Sequence, residues 1–137
     1  MKTTVGNIYK AFKALDSAKV STLETAERQQ VVKLWFALSD AGKKHSDLIE
    51  KTVKELRPEG FDALAQKTQF THAELADFKR MQAEYEKAVE EVVTPEADKE
   101  VEVEIAQKIS VATAEKMLAE NNWEIAKLRE LAIVIDK

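Results

Sequence analysis

The feature that most constrains the fold is a long amphipathic run between Ser21 and Leu56. Its apolar and small residues recur at steps of three and four, or small multiples of these, which places them on one stripe of a helix. The stripe consists of Leu23, Ala26, Leu34, Leu38, Ala41, His45, Leu48, Thr52 and Leu56. A stripe this long must be covered by other elements, so the run predicts antiparallel helices packed on one long central helix.

The ends of the long helix follow from local signals. Ser21 and Glu24 have the spacing of a capping box, which predicts the start. Pro58 disfavours helical geometry in the residue before it, which predicts an end by Arg57. Gly42 could break the run, since an internal glycine costs about 1 kcal/mol relative to alanine. The stripe keeps its phase across this glycine, and we therefore favour one continuous helix.

Two further helices precede and follow this run. The first is predicted to begin at Thr3 or Thr4 and to end within residues 16–19. Residues 61–70 are expected to form a linker with one short turn. Thr71 and Glu74 repeat the capping-box spacing and predict a third helix that ends before Pro95. Its inner face is expected to carry Leu75, Phe78, Met81, Gln82, Tyr85, Val89 and Val92.

A small β element is predicted near residues 100–106. There, valine and isoleucine alternate with glutamate, the period-two pattern of a strand with one exposed face. A lone strand cannot satisfy its own backbone, so it needs a partner. The candidates, in order of preference, are Val92–Val93, the tail Ile133–Ile135 and another subunit.

The C-terminal region predicts two short helices. Ser110 opens the first, which carries Val111, Met117 and Leu118. Asn121 and Glu124 have cap-to-N3 spacing and open the second, with Ile125, Leu128 and Leu131 inward. Together these patterns predict a mainly α protein that forms a single helical domain over residues 1–137.

Composition limits the compartment and the partners. The chain has no cysteine, no signal-peptide pattern and no apolar stretch of membrane-spanning length, so we expect a soluble, cytoplasmic protein with no membrane partner. Residues 1–80 hold 14 basic and 11 acidic side chains, whereas residues 81–137 hold 7 and 14. The acidic second part repels phosphate and makes nucleic acid an unlikely partner.

No pattern indicates catalysis or cofactor binding. The only histidines are His45 and His72, and neither is preceded by the glutamate, three residues earlier, that helical di-metal sites use. We expect His45 to be partly buried and His72 to be exposed. The three glycines form no phosphate-binding pattern. We therefore expect no catalytic residue, metal, cofactor or small-molecule ligand, and no enzyme activity.

Val32, Trp35 and Phe36 form an apolar belt that breaks the amphipathic pattern of the long helix. Val32 and Phe36 point almost opposite to Leu34 and Leu38. Such a belt is covered either inside the fold, by the first helix or the C-terminal helices, or by another subunit or protein. In the second case these three residues are a protein interface.

The order of elements resembles that of small helical proteins encoded in the head and tail assembly regions of phages and prophages. The resemblance covers most of the chain, and that group has no established biochemical activity and no functional residues to carry over. It favours a non-enzymatic protein-interaction or assembly factor. The alternatives are a nucleic-acid-associated protein that uses Lys43, Lys44, Lys51 and Lys54 of the long helix, and, third, a small enzyme.

Overall fold

A computed structural model describes all residues, Met1–Lys137. The helices are α1 (Val5–Asp16), α2 (Thr25–Glu55), α3 (Phe61–Ala65), α4 (His72–Ala97) and α5 (Val111–Glu120), followed by 3₁₀ helices at Ile125–Arg129 and Ala132–Val134. The strands are β1 (Lys2–Thr4), β2 (Glu100–Glu102), β3 (Ile109–Ser110) and β4 (Ile135–Asp136). The predicted fold class, mainly α with a long central helix and small β elements, is confirmed. None of the helices is both long and apolar enough to cross a bilayer.

The chain divides into two compact units. The terminal unit consists of Met1–Ser46 and Ala97–Lys137, and the central unit of Asp47–Glu96. The terminal unit holds the hydrophobic core, to which α1, α2, α5 and the C-terminal residues contribute. In the central unit, the Tyr85 hydroxyl donates to the Val53 carbonyl at 2.5 Å, and Phe61 stacks on Phe78 with ring centroids 5.6 Å apart. A single domain over residues 1–137 stays a prediction.

Helix α2 is continuous through Gly42, as predicted. A Cβ atom at this glycine would lie 2.6 Å from the Phe12 ring, so glycine allows α1 to approach α2 closely. The predicted start at Ser21 is wrong, because α2 begins at Thr25. Glu27 accepts a hydrogen bond from the Glu24 amide at 3.0 Å, so the capping contact forms three residues later than expected.

Helices α1 and α4, which correspond to the first and third predicted helices, begin as predicted. Thr4 caps α1 by accepting from the Asn7 amide at 3.1 Å. Thr71 accepts from the Glu74 amide at 3.1 Å, and Glu74 accepts from the Thr71 amide. The end predicted for this third helix, before Pro95, is wrong for α4.

Helix α4 continues past Pro95 to Ala97. The proline deprives the Glu91 carbonyl of its usual N–H donor, but Glu91 is exposed, so water can satisfy that oxygen. The extra turn brings Ala97 against Gly6, where an added Cβ would lie 3.3 Å from the Ala97 Cβ. No residue of α4 is fully buried, and Leu75 and Val92 of the predicted inner face are exposed.

Neither of the two predicted partners within the chain pairs with the acidic strand, and both of those predictions are wrong. β2 pairs antiparallel with β1, with Lys2 opposite Glu102. The Val103 amide extends this pairing by donating to the Met1 carbonyl at 2.9 Å. The tail is used elsewhere, since Ile135 pairs with Ile109 in a parallel two-stranded sheet, and Val92–Val93 lie within α4.

The C-terminal expectations are only partly confirmed. Ser110 caps α5 as predicted, and of the apolar residues named for this helix Met117 is buried and Val111 is exposed. Thr113 and Ala114 complete the buried side. The last segment forms 3₁₀ helices in place of an α-helix, and Ile125 is 78% exposed. Asn121 does not cap this segment, whose N-cap residue is Glu124. Its side chain instead accepts from the Lys19 amide at 2.6 Å and donates to the Lys19 carbonyl at 2.9 Å.

Candidate functional site: an apolar face of helix α2

The candidate site is the apolar face formed by Val32, Trp35 and Phe36. Successive helical residues are rotated by about 100°, so Val32 and Phe36 lie opposite the buried Leu34 and Leu38. Val32 is 47% exposed and Phe36 is 64% exposed, whereas Trp35 is half-buried. The alternative in which other elements of the fold cover the belt is therefore wrong for Val32 and Phe36. It holds for much of the Trp35 side chain.

Trp35 links the core to the exposed part of the face. Its ring lies against Phe12 with centroids 6.2 Å apart, and its Nε1–H donates to Asp16 Oδ1 at 3.0 Å. Phe36 meets the same indole edge-on at 4.9 Å. Because α1 ends at Asp16, it reaches Trp35 but supplies no further residues to cover Phe36.

A separate open cleft of about 310 Å³, the α2 cleft, lies on a different side of helix α2, and none of Val32, Trp35 and Phe36 lines it. Helix α2 contributes one wall, and the segment after β2 contributes the other. The lining residues are Gln30, Lys33, Leu34 and Ala37, together with Glu104, Ile105, Ala106 and Gln107. The sequence alone did not reveal this cleft, because the position of residues 104–107 depends on the unexpected pairing of β2 with β1.

Two carboxylates fasten the start of α2 and the loop before it to α5. Glu27 accepts from Lys116 at 2.8 Å and from Thr113 at 2.6 Å. These hydrogen bonds lower the pKa of Glu27 to about 2. Both contacts fix the helix that carries the apolar face.

Glu120 is the second of these carboxylates. Its two oxygens accept from the hydroxyl and the amide of both Ser21 and Thr22. These bonds, chiefly that from the Ser21 hydroxyl, lower the pKa of Glu120 to about 2. Ser21 thus anchors a loop and does not cap the helix.

The lysines that would bind nucleic acid in the alternative function are exposed, but acidic residues lie among them. Lys43, Lys44, Lys51 and Lys54 are all exposed, as are Asp47 and Glu50 on the same helix. Lys51 lies 3.9 Å from Glu55. The arrangement is a mixed-charge helix surface, in contrast to the basic stripe that phosphate binding requires.

His45 is more deeply buried than expected, and His72 is exposed as expected. His45 is 5% exposed and meets the Tyr9 ring edge-on at 5.0 Å, and His72 is exposed. The structure contains no group of three or more metal-ligating side chains that could hold a metal ion.

Comparison of the chain with protein-family models, curated proteins and solved structures finds no significant match.

Proposed function

We propose that the chain is a non-enzymatic protein-interaction or assembly factor whose contact surface is the apolar face of Val32, Trp35 and Phe36. The observation that carries this proposal is the 64% exposure of Phe36 beside a half-buried tryptophan. Burying a phenylalanine is worth roughly 1.5–3 kcal/mol, so covering this face would stabilise a complex.

The composition and surroundings of the face support the proposal. Isolated exposed apolar residues are common, but here Val32 and Phe36 lie one helical turn apart and Phe36 contacts the Trp35 ring, so the three residues form one patch. Aromatic side chains are enriched at the centres of protein interfaces, where they carry much of the binding energy. The Trp35 ring, held by Asp16, gives Phe36 a fixed support.

Binding by this face can be tested in the cells that express the chain. Tagged wild type, Phe36→Ser and Ile125→Ser are compared for proteins retained in stoichiometric amounts, and each retained protein is identified and measured again after purification. Ile125 is a matched control, because it is an apolar residue at 78% exposure in a different element. We expect wild type and Ile125→Ser to retain the same partner protein and Phe36→Ser to lose that partner. A differently tagged copy of this chain counts as a partner protein in this comparison. Retention that is equal in all three samples contradicts the proposal.

The proposal includes a phage or prophage origin and a role in head or tail assembly, which the resemblance in element order supports. The neighbouring genes test this part separately. Neighbours that encode capsid, portal or tail proteins are expected, and a cluster of unrelated metabolic genes argues against it.

The second candidate is a nucleic-acid-associated protein that uses the lysines of α2. Their exposure favours it, while the interleaved Asp47 and Glu50 weaken any attraction for phosphate. It therefore ranks below protein interaction.

A further inference from the structure

One edge of the two-stranded β1–β2 sheet has no partner strand. In an antiparallel pair, alternate residues of a strand exchange hydrogen bonds with the neighbouring strand. Val101 and Val103 direct their backbone groups towards β1 in this way. The backbone groups of Glu100 and Glu102 therefore point to the opposite side of β2, where they form no backbone hydrogen bond and where no third strand joins the sheet. Such an edge is a template for a strand of another chain.

Three glutamates follow one another along this edge. Glu100, Glu102 and Glu104 are exposed, whereas the residues between them are half-buried or buried. The three carboxylates thus lie on one face, two residues apart. Glu104 forms no ion pair or hydrogen bond within the chain. Glu100 and Glu102 contact basic groups of β1, yet their side chains remain 63% and 71% exposed. We call this strip, Glu100, Glu102 and Glu104, the acidic edge.

Strand β1 shows which side chains suit the acidic edge. Lys2 lies opposite Glu102 and reaches Glu100 at 3.7 Å from the paired side of β2. Opposite charges in cross-strand positions stabilise a sheet, and like charges destabilise it. A strand with lysine or arginine at every second position would place a cation beside each glutamate on the free side in the same way. A second copy of β2 would instead bring glutamate against glutamate, so the acidic edge disfavours pairing between two copies of the chain.

We propose that the acidic edge binds an extended, basic segment of another protein as a third, antiparallel strand. Main-chain hydrogen bonds to Glu100 and Glu102 hold the segment, and its alternate basic side chains pair with the carboxylates. The edge is only a few residues long, so dissociation constants between about 10 µM and about 1 mM are expected. The acidic edge includes no residue of the apolar face, so this inference goes beyond the proposed function and stands or falls separately.

Three synthetic peptides test strand addition to the full chain. The first is an acetylated heptapeptide in which lysine alternates with valine. The second is N-methylated at two lysine amides, which would face β2, and the third at two valine amides, which would face away. Nuclear magnetic resonance titration measures binding and locates it by the shifts of the Glu100 and Glu102 amides. We expect the first and third peptides to bind in the stated range, and the second to bind at least about tenfold more weakly, because it loses hydrogen bonds to the edge.

Two substitutions at Glu102 separate backbone pairing from charge. Glu102→Pro removes the carboxylate and the outward N–H without removing a hydrogen bond to β1, a position at which edge strands tolerate proline. Glu102→Thr removes the same carboxylate and keeps the N–H. We expect Glu102→Pro to abolish binding of the first peptide and Glu102→Thr to weaken it about two- to fivefold. Glu115→Gln, at an exposed glutamate of α5, is the control and should bind as wild type does. Circular dichroism and the melting temperature establish that each variant is folded.

Four results would overturn the inference. The first is that the unmethylated peptide fails to bind at about 1 mM. The second is equal binding of the two methylated peptides, which would attribute binding to charge alone. The third is a Glu102→Pro protein that binds as well as Glu102→Thr. The fourth is loss of exchange protection at the Val101 amide, which would mean that the peptide displaces β1 instead of extending the sheet. Phe36→Ser is expected to bind the peptide as wild type does, so failure of the proposed function leaves this test unaffected.

Discussion

Gly42 shows how a single residue sets the distance between two helices. Alanine at this position would raise helix propensity by about 1 kcal/mol. Its Cβ would, however, lie 2.6–2.7 Å from three atoms of Phe12, a residue only 7% exposed. Overpacking of this kind costs typically about 1–3 kcal/mol, so packing outweighs propensity.

We therefore predict that Gly42→Ala lowers the free energy of unfolding, by about 1 kcal/mol on balance. Chemical denaturation measures the change. Phe12→Ala removes two of these three atoms, Cγ and Cδ1, and should partly relieve the clash, so the double variant should be more stable than the sum of the two single changes predicts. A Gly42→Ala protein more stable than wild type would mean that α1 does not approach α2 as closely as the structure has it.

The second residue-scale prediction concerns Glu120, which holds Ser21 and Thr22. Its folded pKa of about 2 lies below the ordinary value of 4.5, so its stabilising effect is fully present above that value and is lost as pH falls towards 2. Glu120→Gln should therefore be less stable than wild type near neutral pH, and the difference should shrink on acidification. Glu124→Gln is a control, because the Glu124 side chain forms no hydrogen bond. A stability difference that does not vary with pH would contradict the proposed role of the carboxylate.

At the scale of elements, capping patterns located the helices well where the partner residues are local. Thr71 and Glu74 form the reciprocal contact that their spacing predicts. Ser21 has the same spacing to Glu24 but binds Glu120, which lies 99 residues away in the sequence. A local pattern cannot show that a distant carboxylate competes for the same hydroxyl.

Because no residue of α4 is fully buried, its N-terminal turn depends strongly on the cap. Thr71→Ala is predicted to cost about 1 kcal/mol locally. Amide hydrogen exchange at Glu74 and Leu75, whose amides donate to the Thr71 hydroxyl and carbonyl, should accelerate about fivefold, the factor that corresponds to this energy. Thr68→Ala serves as the control, since its hydroxyl caps no helix. Equal exchange rates in the two variants would show that the cap does not hold the turn.

The lysines of α2 allow the second candidate function to be tested at the same scale. We expect no sub-micromolar binding to a DNA duplex at moderate salt, because acidic residues are interleaved with the lysines. A filter-binding or anisotropy titration at several salt concentrations measures this. Tight, salt-sensitive binding that is lost in Lys43→Gln/Lys44→Gln would place nucleic acid ahead of protein as the partner.

For the whole molecule, the sequence predicted the mainly α class, the continuity of α2 and the starts of α1, α4 and α5, because these depend on periodicity and local caps. It did not predict the pairing of β2 with β1 or of β4 with β3, whose partners lie far apart in the sequence. The α2 cleft depends on the first of these pairings, so it could not be predicted either. The apolar face itself was predicted from helical spacing, and the structure reveals which of its members are exposed.

The central claim is that Phe36 is uncovered in the free chain and available to a partner. Chemical denaturation of Phe36→Ala at a concentration too low for association tests it most directly. If Phe36 is exposed and packs in a T-shaped pair with Trp35, the free energy of unfolding should fall by less than about 1 kcal/mol. A loss of about 3–5 kcal/mol, the cost of emptying a buried phenylalanine site, would show that Phe36 is covered within the chain and would contradict the account.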